Sequence, residues 1–365
     1  MSTANSRLPL ALAFRPWAIH KPALLGILEQ VQLRAAAIAR MTATDIENAV
    51  LASASAPLGR MVGSVAVIPV TGCITQKSDF YSWWFCGTSI ERLTAAFRQY
   101  VNDPAVSTIV FDVDSPGGEV YGVPEFFEEV FASRGIKKLV AVSNPFMASA
   151  AYWVSAACDE IHLIPSGQAG SVGCYTVHED MSKLLERIGV DITFIQYGEH
   201  KTEGNAYEPL TESAASELQA GVDYYGTLFD KAVAKGRNVS MADVKGHFGQ
   251  GRVLRAPDAK RVGMVDKIAT LDEVLAKFAP KRARALALST TETPEPMATE
   301  FADPVIESKK RADSVEPNED GSCPDGYEKG DDGQCHLPSE DAQAAAVQQE
   351  QADQDAINVT LALTE

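Results

Sequence analysis

The sequence predicts an α/β protein, a mainly parallel sheet flanked by helices, followed by an acidic tail. Three observations carry this reading. Short β-branched runs alternate with segments of helical spacing from residue 64 to about residue 279, the pattern that builds parallel sheets with helices on their faces. Hydrophobic residues make up 45% of the 365 and charged residues 22%, which suits a soluble chain with a substantial core. The charge is also segregated: residues 280–365 hold 7 Lys+Arg against 19 Asp+Glu, so −12 of the net −17 lies there.

The elements follow in order. Residues 1–15 carry no periodic pattern. From Pro22 to Arg40, Leu24, Ile27, Leu28, Val31, Ala35 and Ile38 recur at helical spacing, giving a helix that packs on the body or on another subunit. "ATDIENAVLASA" continues helically to about Ala56, and "SVAVIPVTGCI" (64–74) is a β-branched strand. Then come a helix over 89–103, a buried strand over 106–115, a helix over 122–135 and a strand over 137–144. "MASAAYWVSAACDE" supplies a helix and "DEIHLIPSG" a strand. Residues 181–190 read as a helix, 191–198 ("DITFIQYG") as a strand, and Thr211 to Arg237 as a long helix. "RAPDAKRVGMVDKIATLDEVLAKF" closes the body.

Past residue 280 the chain is acidic, rich in Pro and Thr and poor in apolar residues. Such a segment cannot offset the entropy of ordering, so disorder is expected from about 285 to 340. A weak helix is expected over 341–363. The division is therefore 1–60, a helical leader; 61–280, the globular domain; and 281–365, an acidic, largely disordered tail. No internal repeat is present.

Several function classes fall away. A net charge of −17 opposes nucleic-acid binding, which requires a basic face. No run approaches the ~18 apolar residues that span a bilayer, and "LPLALAF" is too short and lacks the small-residue site of a signal peptide. The expected location is the cytoplasm. The six cysteines (73, 86, 158, 174, 323 and 335) form no CxxC pair. Four sit in apolar surroundings as small hydrophobes, and Cys323 and Cys335 bracket a loop expected to stay reduced. With no HExxH, no Cys/His cluster, no GxGxxG and no P-loop, neither a metal nor any cofactor is expected.

In α/β sheets, ligands gather beyond the carboxyl ends of the strands, and three features fall at such ends. "DVDSPGGEV" (112–120) breaks into Ser-Pro-Gly-Gly, where glycines let backbone N–H groups face an anion or a polarised carbonyl. A tight turn is the plainer reading. Ser149 follows the strand and "NPFMA" at a helix start, where free N–H groups favour attack on a carbonyl. Pattern alone favours a buried hydroxyl bonded back to its own helix. Finally, "YGEHKTEG" (197–204) carries His200 and Lys201. A lysine buried beside a serine can take the serine proton and later protonate the leaving group. His200 is an alternative base, as in Ser-His hydrolases; His162 and His178 lie at no strand end beside the serine.

Together these stretches resemble the S49 serine peptidases, the signal-peptide peptidase A family. The resemblance spans roughly residues 60–275 and rests on "VAVIPVTGCI", "DVDSPGGEV", "FMASAAYWVSAACDEI", "GQAGSVGCYTVHEDMSKLLERIGVDITFI", "GEHKTEG", "LFDKAVAKGRNV" and "GRVLRAPDAKRVGMVD". It implies a ClpP/crotonase-like fold and a Ser/Lys dyad, with Ser149 as nucleophile and Lys201 as general base. The implied oxyanion donors are the N–H groups of Gly118 and Ala150, with Gly117, Ala148 and Ala151 lining the substrate. The family's usual Ser-Gly-Gly is here Ser149-Ala150-Ala151, which keeps the backbone donor and adds a methyl.

The leader "FRPWAIHKPALLGILEQV" is similar to that of phage members of the family, which implies a prohead, or capsid assembly, protease. Its substrates would be scaffold, portal or capsid proteins and its own chain, acted on within a homo-oligomeric ring. The alternatives are a signal-peptide peptidase-like protease, a crotonase-like acyl-CoA enzyme that would not need Ser149 and Lys201 together, and a non-catalytic assembly factor.

Overall fold

In a computed structural model of the chain, the described residues are 16–21, 41–84, 87–279 and the two-residue strands at 314–315, 328–329 and 335–336. The chain divides into two compact units, Met1–Thr290 and Thr291–Glu365.

In the first unit the elements run β1 (Trp17–Ile19), α1 (Ala43–Ser55), β2 (Arg60–Val62), β3 (Val65–Thr75), α2 (Phe80–Trp84), β4 (Thr88–Ser89), α3 (Ile90–Asn102), β5 (Thr108–Glu119), α4 (Val123–Ala132), β6 (Lys138–Ala148), α5 (Ala150–Ala156), β7 (Glu160–Leu163), β8 (Gln168–Gly170), α6 (Ser182–Arg187), α7 (Glu212–Arg237), α8 (Met241–His247), β9 (Val253–Arg255), α9 (Ala256–Arg261), β10 (Lys267–Ile268) and α10 (Leu271–Phe278). The sheet order is β10-β7-β6-β5-β3-β2. Every ladder from β3 to β10 along this path is parallel, and β2 joins antiparallel. The fold is thus the mixed α/β, mainly parallel sheet that the alternation predicts.

The central strands are apolar on both faces because helices cover one side and α10 the other. On the first side, Ile68, Ile109, Phe111, Leu139 and Ala141 pack with Leu93 and Phe97 of α3, Phe126 and Phe127 of α4, and Trp153 of α5. Phe97, Phe111 and Phe126 meet with ring centroids 5.9–6.3 Å apart, within the favourable range for aromatic pairs. On the second side, Val67, Val110, Val140 and Val142 pack against Val274 and Leu275.

Two details seat α5. Trp153 stacks on Phe229 of α7 with centroids 4.4 Å apart. Arg134 donates to the carbonyls of Ala156, Ala157, Cys158 and Gly236, satisfying the C-terminal orphan acceptors of α5 while tying it to α7.

Four assignments differ from expectation. The strand placed at 106–115 runs on through Ser-Pro-Gly-Gly to Glu119, because β1 supplies an antiparallel partner for those last residues. The strand placed at 137–144 continues to Ala148, since β8 pairs with Phe146–Ala148. The strand expected at 191–198 does not form, and no ladder pairs with it among the described residues. The helix before it is confined to Ser182–Arg187.

In the second unit three two-residue strands, Ser314–Val315, Glu328–Lys329 and Cys335–His336, pair antiparallel, short ladders inside the stretch expected to be disordered. The remainder of that stretch, the helices expected over 22–40 and 341–363, and the state of Cys323 and Cys335 lie outside the described residues.

Candidate active site

The carboxyl ends of β5 and β6 build the site. Ser115 pairs with Met147 across these strands, which brings the Gly-Gly pair alongside the turn into α5. Ser149 is the N-cap residue of α5, yet its side chain makes no capping hydrogen bond. Its backbone stands at φ 56°, ψ −121°, a conformation that costs of order 1–3 kcal/mol for a residue with a Cβ. The surroundings hold it there: the Ser149 N–H donates to the Gly170 carbonyl at 2.7 Å and the Trp153 N–H to the Ser149 carbonyl at 2.9 Å. Ser149 is 1% exposed, and its Oγ has no hydrogen-bond partner. A structural buried serine bonds back to a carbonyl, as Ser155 does to Ala151 one turn on. Ser149 does not.

Gly117 presses against Ser149 and Gly118 against β3. Gly117 has φ 94°, and a Cβ there would lie 2.9 Å from Ser149 Cβ and 2.8 Å from the Ala150 nitrogen. Gly118 abuts β3 so tightly that a Cβ would stand 1.8 Å from the Ile74 carbonyl oxygen. The Ser115 hydroxyl fixes the bend, donating to the Gly72 carbonyl at 2.6 Å and accepting from the Gly117 N–H at 3.2 Å. Ala150 occupies the first position of α5, so its N–H has no acceptor within the helix. Ala148 pairs with Gly170 in the β6–β8 ladder, and Ala151 is wholly buried beside it.

The other sequence candidates lie apart from this group. Lys201 is exposed on a turn-rich segment, and the partnerless Oγ of Ser149 shows that the two side chains are not hydrogen-bonded within one chain. His200 is exposed and bonds Glu203 at 2.8 Å; that hydrogen bond, and the carboxylate's charge, push its pKa up. His162 is buried in β7 against Glu160, with burial holding its pKa down, and His178 meets the Asn205 carbonyl. Among the described residues no group of three His, Cys, Asp or Glu could hold a metal ion, and no helix is long and apolar enough to cross a membrane.

Sequence reasoning missed one component. β1 lies antiparallel on the Gly-Gly segment, pairing Trp17 with Glu119, Ala18 with Gly118 and Ile19 with Gly117. On its other edge Trp17 and Tyr175 exchange backbone hydrogen bonds at 2.8 and 3.0 Å. Three residues distant in sequence from the site give no periodicity to read.

Known proteins are similar to this chain. The head-tail preconnector protein of Enterobacteria phage P21 is 27% identical over 220 residues, 60% of this chain and 44% of its own length. Capsid assembly protease C of Escherichia phage lambda is 27% identical over 209 residues, 57% of this chain and 47% of its own. Protease 4 of Haemophilus influenzae is 29% identical over 215 residues, 58% and 34% respectively. The chain thus spans about half or less of the length of these relatives. A solved ClpP1 mutant from Listeria monocytogenes aligns at TM-score 0.37 and 12% identity, over 56% of this chain and 92% of its own, too loosely to bear on the site. Residues 132–284, which contain both Ser149 and Lys201, match Peptidase family S49, and this chain carries a domain of that family.

Proposed function

We propose that the chain is a serine endopeptidase in which Ser149 is the nucleophile and the N–H groups of Gly118 and Ala150 hold the oxyanion. The observation that carries this is the strained, buried and partnerless Ser149 hydroxyl at a strand-to-helix turn beside backbone donors. Lys201 is the base. Because it is exposed in its own chain, it reaches the Ser149 of a neighbouring copy in a homo-oligomeric ring. The segment that precedes it supports this, with Ile195 and Tyr197 fully exposed and Ile188, Val190 and Ile192 partly so. Such apolar, unpaired backbone fits a partner strand or face. The substrates are proteins of an assembling phage head, scaffold, portal or capsid, in keeping with the names of the two phage relatives.

Each of Ser149→Ala and Lys201→Ala should abolish cleavage of procapsid scaffold or portal protein. Mixing the two inactive variants should restore up to about a quarter of wild-type activity, the share of sites in a randomly mixed ring that combine an intact serine with a neighbour's lysine. Unchanged cleavage by Ser149→Ala would remove the nucleophile assignment, and a mixture that stays inactive would remove the shared dyad.

A further inference from the structure

We infer that residues Pro16–His20 lie in the place of a substrate strand, and that the Ala18–Ile19 peptide bond is a self-processing site of this protein. The inference rests on the Ser149 reading and adds a specific target to it.

The geometry is that of strand addition, in which an extended peptide pairs with a sheet edge through its main chain. His20 N–H donates to the Pro116 carbonyl at 2.9 Å and Val120 N–H to the Pro16 carbonyl at 3.4 Å. Antiparallel ladders alternate bonded and non-bonded pairs. Ala18 opposite Gly118 is therefore the bonded pair between those two, and Gly118 N–H faces the Ala18 carbonyl. A Cβ on Gly117 would lie 2.2 Å from that carbonyl oxygen, 2.8 Å from the Ala150 nitrogen and 2.9 Å from Ser149 Cβ. The Ala18 oxygen thus lies no more than about 5 Å from the Ala150 nitrogen and from Ser149 Cβ, in the neighbourhood where an oxyanion formed by attack of Ser149 would be held.

Burial agrees. Trp17, Ala18 and Ile19 are each 2% exposed or less, and Ser149 Oγ beneath them has neither solvent nor a partner. Ala18, the residue that presents the carbonyl, is small and fully enclosed. Beyond it a cleft of about 380 Å³, lined by residues including Ile19, His20, Cys174 and Tyr175, opens on the C-terminal side of the bond.

In the reaction Ser149 Oγ bonds to the Ala18 carbonyl carbon and its proton passes to the base. The Ala18–Ile19 C–N bond breaks, and the base returns the proton to the Ile19 nitrogen. Water then hydrolyses the Ala18–Ser149 ester, leaving an Ala18 carboxylate, an Ile19 amino terminus and free Ser149. Departure of the piece ending at Ala18 clears the groove for other peptides.

The test is the N-terminus of purified full-length protein, read by intact mass and terminal sequencing, in wild type and Ser149→Ala. Wild type should begin at Ile19, and Ser149→Ala, folded by circular dichroism, should retain residues 1–18. Ala18→Glu should keep its N-terminus while Ala18→Gly loses it. Wild type that cuts a scaffold protein yet keeps residues 1–18, or begins elsewhere, overturns this inference and leaves the protease reading standing. Wild type that cuts neither overturns both. Trimming of tagged Ser149→Ala chains by added wild type overturns the intramolecular placement.

Discussion

Ser149 carries a side chain at φ 56°, and the contacts that hold it are short and local: the Gly170 carbonyl behind it, the first turn of α5 ahead, and Gly117 against its Cβ. Strain of this kind persists where the surroundings over-determine it. Gly118 is the tightest of those surroundings. Gly118→Ala would drive a methyl into the Ile74 peptide and part β3 from β5, at a cost of roughly 3 kcal/mol by analogy with overpacked cores. A lowered urea midpoint together with lost cleavage would be measured. Retention of both would show that β3 yields more easily than its ladder suggests. Much of the proposed site was legible at the residue scale: Ser149 between small residues at a strand end, and the Gly-Gly pair upstream, need only sequence. The missing hydrogen bond to Ser149 Oγ was not legible, because a core serine and a nucleophile share one pattern until their partners are known.

Among the elements, β6, β7, β10 and α10 are joined at one carboxylate. Glu160 accepts from Lys138 and Lys267 at 3.0 Å, from Lys277 at 3.3 Å, and meets His162 at 3.0 Å. Partial burial pushes its pKa up, but the hydrogen bonds from Lys267, Lys138, His162 and Lys277 outweigh that and hold the carboxyl well below the usual range. A carboxyl with a depressed folded-state pKa stabilises above its unfolded value of about 4.3, and the contribution fades as pH falls below it. Glu160→Gln should therefore lower the denaturation midpoint at pH 7, with the gap from wild type closing between pH 5 and 2 (approximate bounds from the same linkage). A gap independent of pH would mean that the cluster acts through packing. Among the described residues, the elements expected from periodicity form except at 191–198, where β-branched residues suggested a strand. Propensity of that sort measures fit to a pleated, half-buried surface. Here Ile195 and Tyr197 have no surface among the described residues to fit.

At the scale of the whole molecule, that unpaired segment and the exposed Lys201 beyond it belong together in the proposed ring. Ile195→Asp should lower the oligomer mass measured by light scattering and reduce cleavage in parallel, while the secondary-structure spectrum of the chain stays unchanged. An intact ring in that variant would place the subunit contact elsewhere. The sequence indicated an acidic tail distinct from the body through its composition, and the contact boundary falls at Thr290–Thr291. It could not reveal that the leader returns to the sheet, since β1 has only three residues and its partner lies about a hundred positions away.

That distance also orders events in time. Pairing Trp17 with Glu119 closes a long loop, whose entropy must be met before any contact rewards it. The strands β3, β5 and β6 with their helices instead meet through shorter connections, and local contacts form faster. On these grounds the sheet is expected to condense with its groove bare and the leader to dock last. A newly made chain would then pass through a short interval in which Ser149 stands uncovered, its length set by how quickly the N-terminus finds β5.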